Sequence, residues 1–113
     1  MQLYHNPRCS KSRQTLALLE QQGQAPELVL YLEQSPDVAT LKALLTKLGF
    51  SSARQLMRTK EDLYKELGLA EVNDEAALLN AMSEHPKLIE RPILVNGDKA
   101  RIGRPPEQVL EIL

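Results

Sequence analysis

The chain contains one cysteine, Cys9, and no tryptophan; one phenylalanine and three tyrosines supply all of its aromatic bulk. A single thiol cannot close an internal disulfide, which excludes a disulfide-stapled scaffold. Neither sign of charge dominates. The formal net charge is −1, so the overall balance gives no electrostatic case for nucleic acid or an anionic membrane as partner. Apolar runs stay well short of a membrane span. The opening Met1-Gln2-Leu3-Tyr4-His5-Asn6-Pro7 has no basic segment ahead of an apolar stretch, so no secretory signal is expected. One cysteine and two distant histidines do not make a metal-ligand set. Nucleotide loops, repeats, low-complexity tracts and linkers are also missing. A lone thiol without a targeting segment is expected in the cytoplasm, where thiols are kept reduced.

What is present fits one domain spanning residues 1–113, with 42% hydrophobic residues and a core built from Leu, Val, Ile and Ala. Leu3-Tyr4 reads as a short strand broken by Asn6-Pro7. A helix then opens at Cys9 or Ser10 and runs to about Gln22, with Gly23 at its C-terminal cap. The unalternating run Leu28-Val29-Leu30-Tyr31-Leu32 reads as a strand covered on both faces, completing a βαβ unit. Ser35-Pro36-Asp37 signals a helix start for Leu41, Leu44, Leu45 and Leu48, which Gly49 ends. Short helices follow from Ser51 or Ser52, from Glu61 to Leu67, and from a cap at Asn73 or Asp74 to a stop before Pro86. Ile93-Leu94-Val95, a turn at Asn96-Gly97 and Lys99 to Ile102 give a hairpin signal. Pro105-Pro106-Glu107 starts a last short helix. The order is β-α-β, a helical insertion over roughly residues 35–86, then β-β-α. The expected fold class is α/β: a thioredoxin-like arrangement with a mixed four-stranded sheet.

Chemistry concentrates at Cys9. An ordinary thiol is only a few per cent thiolate at neutral pH, and the thiolate is the nucleophile. A helix start favours the anion through unpaired N–H groups and the positive dipole end. Arg8 and Lys11 flank Cys9, with Arg13 and His5 close in sequence, and all add to that preference. Ser12 is placed to donate its hydroxyl to the sulfur or to its adduct. The competing reading, a buried small hydrophobe, leaves the crowd of positive charge and the rigid Pro7 without a purpose. The motif is C-x-x-S, so any adduct on Cys9 needs an external thiol to resolve it.

Tyr4-His5-Asn6-Pro7-Arg8-Cys9-Ser10-Lys11-Ser12-Arg13 resembles the cysteine loop of the glutaredoxin-coupled arsenate reductases, the ArsC-like proteins. The resemblance continues through Val29-Leu30-Tyr31-Leu32-Glu33, Leu67-Gly68-Leu69, His85 to Ile93, and Gly103-Arg104-Pro105. It implies that Cys9 attacks arsenate and displaces an oxygen as water. It further implies glutathione as reducing co-substrate, with no bound cofactor, and glutaredoxin as the partner that clears the mixed disulfide. The family's anion-binding arginines map onto Arg58, Arg91 and Arg104. His5 matches the histidine that helps keep the thiol ionised, and Pro92 matches the cis-proline beside the active cysteine. Guanidinium forks suit a tetrahedral oxyanion because they bind two oxygens at once and stay charged.

Other readings remain open. Taken singly, Arg58 and Arg104 fit surface arginines, and His5 fits a residue that merely ties the loop. Arg54 and Arg101 read as plain surface charge. His85 reads as a helix C-terminal residue. The related Spx-type regulators bind RNA polymerase and sense oxidation through C-x-x-C, where Ser12 stands here. A monothiol glutaredoxin-like exchange enzyme, or a reductase of another small oxyanion, would use the same thiol.

Overall fold

The computed structural model describes all of residues 1–113. Strand β1 (Gln2–Tyr4) pairs in parallel with β2 (Glu27–Val29) and antiparallel with β3 (Ile93–Asn96), which pairs antiparallel with β4 (Lys99–Ile102). The sheet is therefore mixed and four-stranded, in the order β2-β1-β3-β4. Between β1 and β2 runs helix α1 (Ser10–Gln21). The crossover returns the chain beside β1 in the same direction, as a parallel pair requires. Leu3, Leu19, Leu94, Val109 and Ile112 form a core cluster from α1, the sheet and the terminal 3₁₀ segment Pro106–Ile112. This is the α/β thioredoxin-like arrangement expected from the order of elements.

The chain divides into two compact units. Residues 1–34 with 91–113 make the first, and residues 35–90 make the second. The second carries α2 (Val38–Leu48), a 3₁₀ segment Ala53–Leu56, α3 (Asp62–Glu66) and α4 (Glu75–Glu84). Asp37, not Ser35, caps α2: its carboxylate accepts from the Thr40 N–H at 2.8 Å. Ser35 instead donates to the Ser83 carbonyl oxygen at 2.5 Å. Gly49 ends α2 at φ +74°, a left-handed conformation that costs glycine least. Ser52 and Gln55 form a capping box over Ala53–Leu56.

Two strand expectations need correction. The segment 28–32 is not covered on both faces: only Glu27–Val29 is strand, and Leu28 and Leu32 are 44% and 43% exposed. β2 also lies at the edge of the sheet, with β1 as its one strand neighbour. The hairpin turn lies one residue later than Asn96-Gly97. Asn96 pairs with Lys99 and donates its side-chain amide to the Ile112 carbonyl at 2.6 Å, leaving Gly97 and Asp98 as the turn. Gly97 supplies the positive φ the turn demands.

Arg54 is not plain surface charge. Its guanidinium donates to Tyr64 Oη, to the Leu69 carbonyl at 3.0 Å and to the Val72 carbonyl, with its carbon 5.9 Å from the centre of the Tyr64 ring. Arg101 pairs with Glu111 at 3.1 Å. No helix is long and apolar enough to cross a membrane.

Candidate active site

Cys9 is the N-cap residue of α1, with extended backbone angles (φ −93°, ψ 123°). Its side chain occupies the place where Ser or Asp ordinarily meets the free amides of the first turn. Ser10 is the first helical residue, so Lys11 and Ser12 are the second and third. No first-turn amide makes a formal hydrogen bond to the cysteine side chain. Nevertheless, the amides of Lys11 and Ser12 act on the sulfur in the sense that favours its anion. The sulfur is half-buried.

Partial burial is the largest influence on the thiol and pushes its pKa up. The Ser12 amide, the Arg91 guanidinium, the Lys11 amide and the Arg104 guanidinium, in that order, pull it down, and together they win. Cys9 is thus more acidic than a free cysteine. The cations responsible come from the far end of the chain. Arg8 and Lys11 neighbour the thiol in sequence, but their side-chain charges are not what lowers its pKa; Lys11 contributes through its backbone amide. Arg13, on the next turn of the helix, turns its guanidinium back onto the Pro7 carbonyl at 2.9 Å.

Arg104 places Nη2 at 3.8 Å from Cys9 Sγ and donates from Nε to the Arg91 carbonyl at 2.8 Å. The Arg91-Pro92 peptide is cis, as the resemblance implies, and so is Arg104-Pro105, which the sequence reading did not anticipate. The Gly103 N–H donates to the Pro92 carbonyl at 2.9 Å, joining the two arginine-proline corners.

Two sequence-derived roles take a different form. Ser12 does not give its hydroxyl to the sulfur. Ser12 Oγ, fully buried, accepts from the Asn6 N–H at 3.0 Å and lies 2.6 Å from His5 Nδ1. Only its backbone reaches toward the thiol, because at the third helical position the N–H points past the cap while the side chain turns to the loop. His5 does not supply a positive charge. Burial first, and the nearby Arg13 second, hold its pKa below the ordinary histidine value, so the ring is neutral near pH 7. In the tautomer with the proton on Nε2, Nδ1 accepts from Ser12, and the pair fixes the loop that leads into Cys9.

Arg58 lies in the unit formed by residues 35–90. Its backbone N–H donates to the Leu88 carbonyl at 2.8 Å, and its guanidinium pairs with Glu61 at 3.2 Å. Glu61 also faces Lys87 at 3.8 Å. His85 caps the C-terminus of α4.

A cavity of about 270 Å³ opens beside the cysteine loop, lined by His5, Asn6, Pro7, Arg8, Leu30, Leu32 and Glu33. No three His, Cys, Asp or Glu side chains gather as a metal-ligand set. Sequence reading also missed Gly103, which packs closely on Thr15 and Pro92. Its only signal was its place before Arg104-Pro105.

The chemical capacity of this arrangement is specific. It holds a partly accessible thiol of lowered pKa under the influence of two guanidinium groups, so a nucleophile and an anion-binding device share one place.

Comparison with known proteins gives a consistent result. The family model described as the ArsC family matches residues 4–112. The chain is 64% identical over 114 residues to the uncharacterized protein YfgD of Escherichia coli strain K12, covering 100% of this chain and 96% of that one. It is 57% identical over 112 residues to the arsenate reductase of Haemophilus influenzae, covering 98% and 97% respectively. The solved structure of the arsenate reductase from Vibrio cholerae superposes with a TM-score of 0.97 at 60% identity, covering 100% of this chain and 98% of that one.

Proposed function

The chain belongs to the ArsC family, and from that premise we propose that it reduces arsenate to arsenite through Cys9, with glutathione and glutaredoxin supplying the electrons. One observation carries this reading: a thiol made acidic at a helix N-cap, with the guanidinium groups of Arg91 and Arg104 acting on the same sulfur. A thiolate approaching an oxyanion meets charge repulsion, and those two cations offset it.

The proposed sequence begins with a sulfur–arsenic bond from Cys9, one arsenic–oxygen bond breaking and the oxygen leaving as water after protonation. Glutathione thiolate then attacks the Cys9 sulfur. A sulfur–sulfur bond forms, the sulfur–arsenic bond breaks, and its electron pair stays on arsenic, which leaves as arsenite. Glutaredoxin attacks the mixed disulfide and returns Cys9 as thiolate. With one cysteine in the chain, both sulfur exchanges need outside thiols. Arg91 and Arg104 bind the oxyanion, and Pro92 shapes the loop beside it. His5 and Ser12 hold the cysteine loop. Arg58 enters the reading from the sequence resemblance alone. The same donors place the reaction in the cytoplasm.

The test is arsenate-dependent NADPH oxidation in the presence of glutathione, glutaredoxin and glutathione reductase, with Cys9→Ser abolishing it. Turnover that is independent of arsenate at every concentration overturns the reading. The monothiol exchange alternative predicts turnover of a glutathionylated peptide instead. The paired guanidinium groups favour the oxyanion, because disulfide exchange needs no such pair.

A further inference from the structure

We propose that Gly103 is a positioning residue for the reactive thiol: its bare Cα lets the end of β4 seat against α1 and so sets the distance between Arg104 and Cys9. The inference rests on the site described under the proposed function, yet it requires only that Cys9 and Arg104 face each other.

The geometry forms a closed circuit. From Cys9 the first turn of α1 leads to Lys11, whose carbonyl accepts from Thr15 Oγ1 at 2.8 Å. Thr15 is fully buried and packs on Gly103. A methyl group at Gly103 would stand 2.5 Å from Thr15 Oγ1, 3.1 Å from Thr15 Cγ2 and 2.9 Å from Pro92 Cγ. None of these is the loose end of a long side chain. Thr15 is tied to the helix, and Pro92 is a ring within the backbone. From Gly103 the circuit returns two ways. Its N–H bonds the Pro92 carbonyl next to Arg91, and the next residue, Arg104, reaches back to within 3.8 Å of the sulfur.

Gly103 does not have the positive φ of Gly23, Gly49, Gly68 and Gly97. What it supplies is therefore space and not a left-handed turn. In a close-packed interior a methyl here has nowhere to go unless β4 and α1 separate. Arg104 hangs on the moving side of that contact, while Cys9 and the amides of Lys11 and Ser12 hang on the other. Separation thus weakens the guanidinium influence on the sulfur and leaves the amide influence in place.

The experiment follows the iodoacetamide alkylation rate of Cys9 against pH, which reports thiolate and needs no arsenate. It therefore stands whether or not arsenate proves to be the substrate. Gly103→Ala is expected to move the alkylation profile to higher pH and to slow the reaction at pH 7 by about three- to tenfold. Adding Thr15→Ala, which removes Oγ1 and Cγ2 and leaves Pro92 Cγ at 2.9 Å as the one close contact, is expected to bring the rate back to within about threefold of wild type. A purely structural glycine would change the melting temperature and leave the alkylation profile where it was, and that result overturns the proposal. So does a double variant that stays slow. If Gly103→Ala fails to fold, the double variant decides alone: recovered folding with near-normal alkylation supports the proposal, and a slow or unfolded double variant overturns it.

Discussion

Arg104 and Cys9 are separated by 95 positions in the chain, yet Nη2 of the one stands 3.8 Å from Sγ of the other. The arginine is not free to wander. Its Nε is committed to the Arg91 carbonyl at 2.8 Å, which points the remaining face of the guanidinium at the sulfur. Arg104→Ala is therefore expected to raise the KM for arsenate by about tenfold or more, the size of one lost charge-assisted hydrogen bond. It should also move the thiol titration upward. Arg104→Lys restores charge without the fork, so kinetics in the coupled assay should recover only in part.

Ser12 gives a test of opposite character. Replacement by alanine leaves His5 Nδ1 and the Asn6 N–H without their hydroxyl partner in a buried setting. The expected cost is about 1–3 kcal/mol of stability, read by denaturant unfolding. The thiol titration should barely move, because the Ser12 amide that acts on Cys9 survives the substitution. A large upward move would mean that the hydroxyl itself serves the sulfur.

His5 predicts a pH dependence with a definite sign. Its pKa is depressed in the folded state, so between that value and about 6.5 the unfolded chain binds more protons than the folded one. Stability from this group is complete above about pH 6.5 and declines as pH falls toward the folded value. His5→Asn keeps an acceptor near Ser12 and removes the titration. Its unfolding free energy should be flatter than wild type across that window.

Arg54→Ala tests the second unit by itself. The carbonyls of Leu69 and Val72 and the Tyr64 hydroxyl lose their shared donor. A loss of about 2–3 kcal/mol is expected. Amide hydrogen exchange should place the loosening within residues 35–90.

These expectations show what a sequence exposes and what it hides. Helix ends were legible because caps are local: Gly23, Gly49 and Asp74 mark their boundaries through their own backbone needs. The thiol at the start of α1 was legible for the same reason. β2 was misjudged because a run such as Leu28 to Leu32 reports hydrophobicity and not whether other elements pack over both of its faces. The charges around Cys9 were misassigned by the same logic. Arg8, Lys11 and Arg13 are near in sequence, but their charges are not those that lower the thiol's pKa, and Arg13 turns onto the Pro7 carbonyl. Arg91 and Arg104 arrive through the topology of the sheet, which only a family pattern could anticipate. Arg54 had no local signature at all, and Gly103 had none beyond its place before Arg104-Pro105. One is defined by carbonyls in a distant turn, the other by the room it leaves.

The thiolate at Cys9 draws on two kinds of partner, and dissolved ions distinguish them. Backbone amides at the cap are fixed dipoles acting at contact range, where mobile ions do not intervene. The Arg104 side chain is exposed, and its charge is open to the ionic atmosphere. Raising ionic strength should thus erode the Arg104 share and spare the amide share, leaving in strong brine a thiol still more acidic than free cysteine but less so than in dilute buffer. A sulfur held chiefly by side-chain charge would lose nearly all of its advantage under the same treatment.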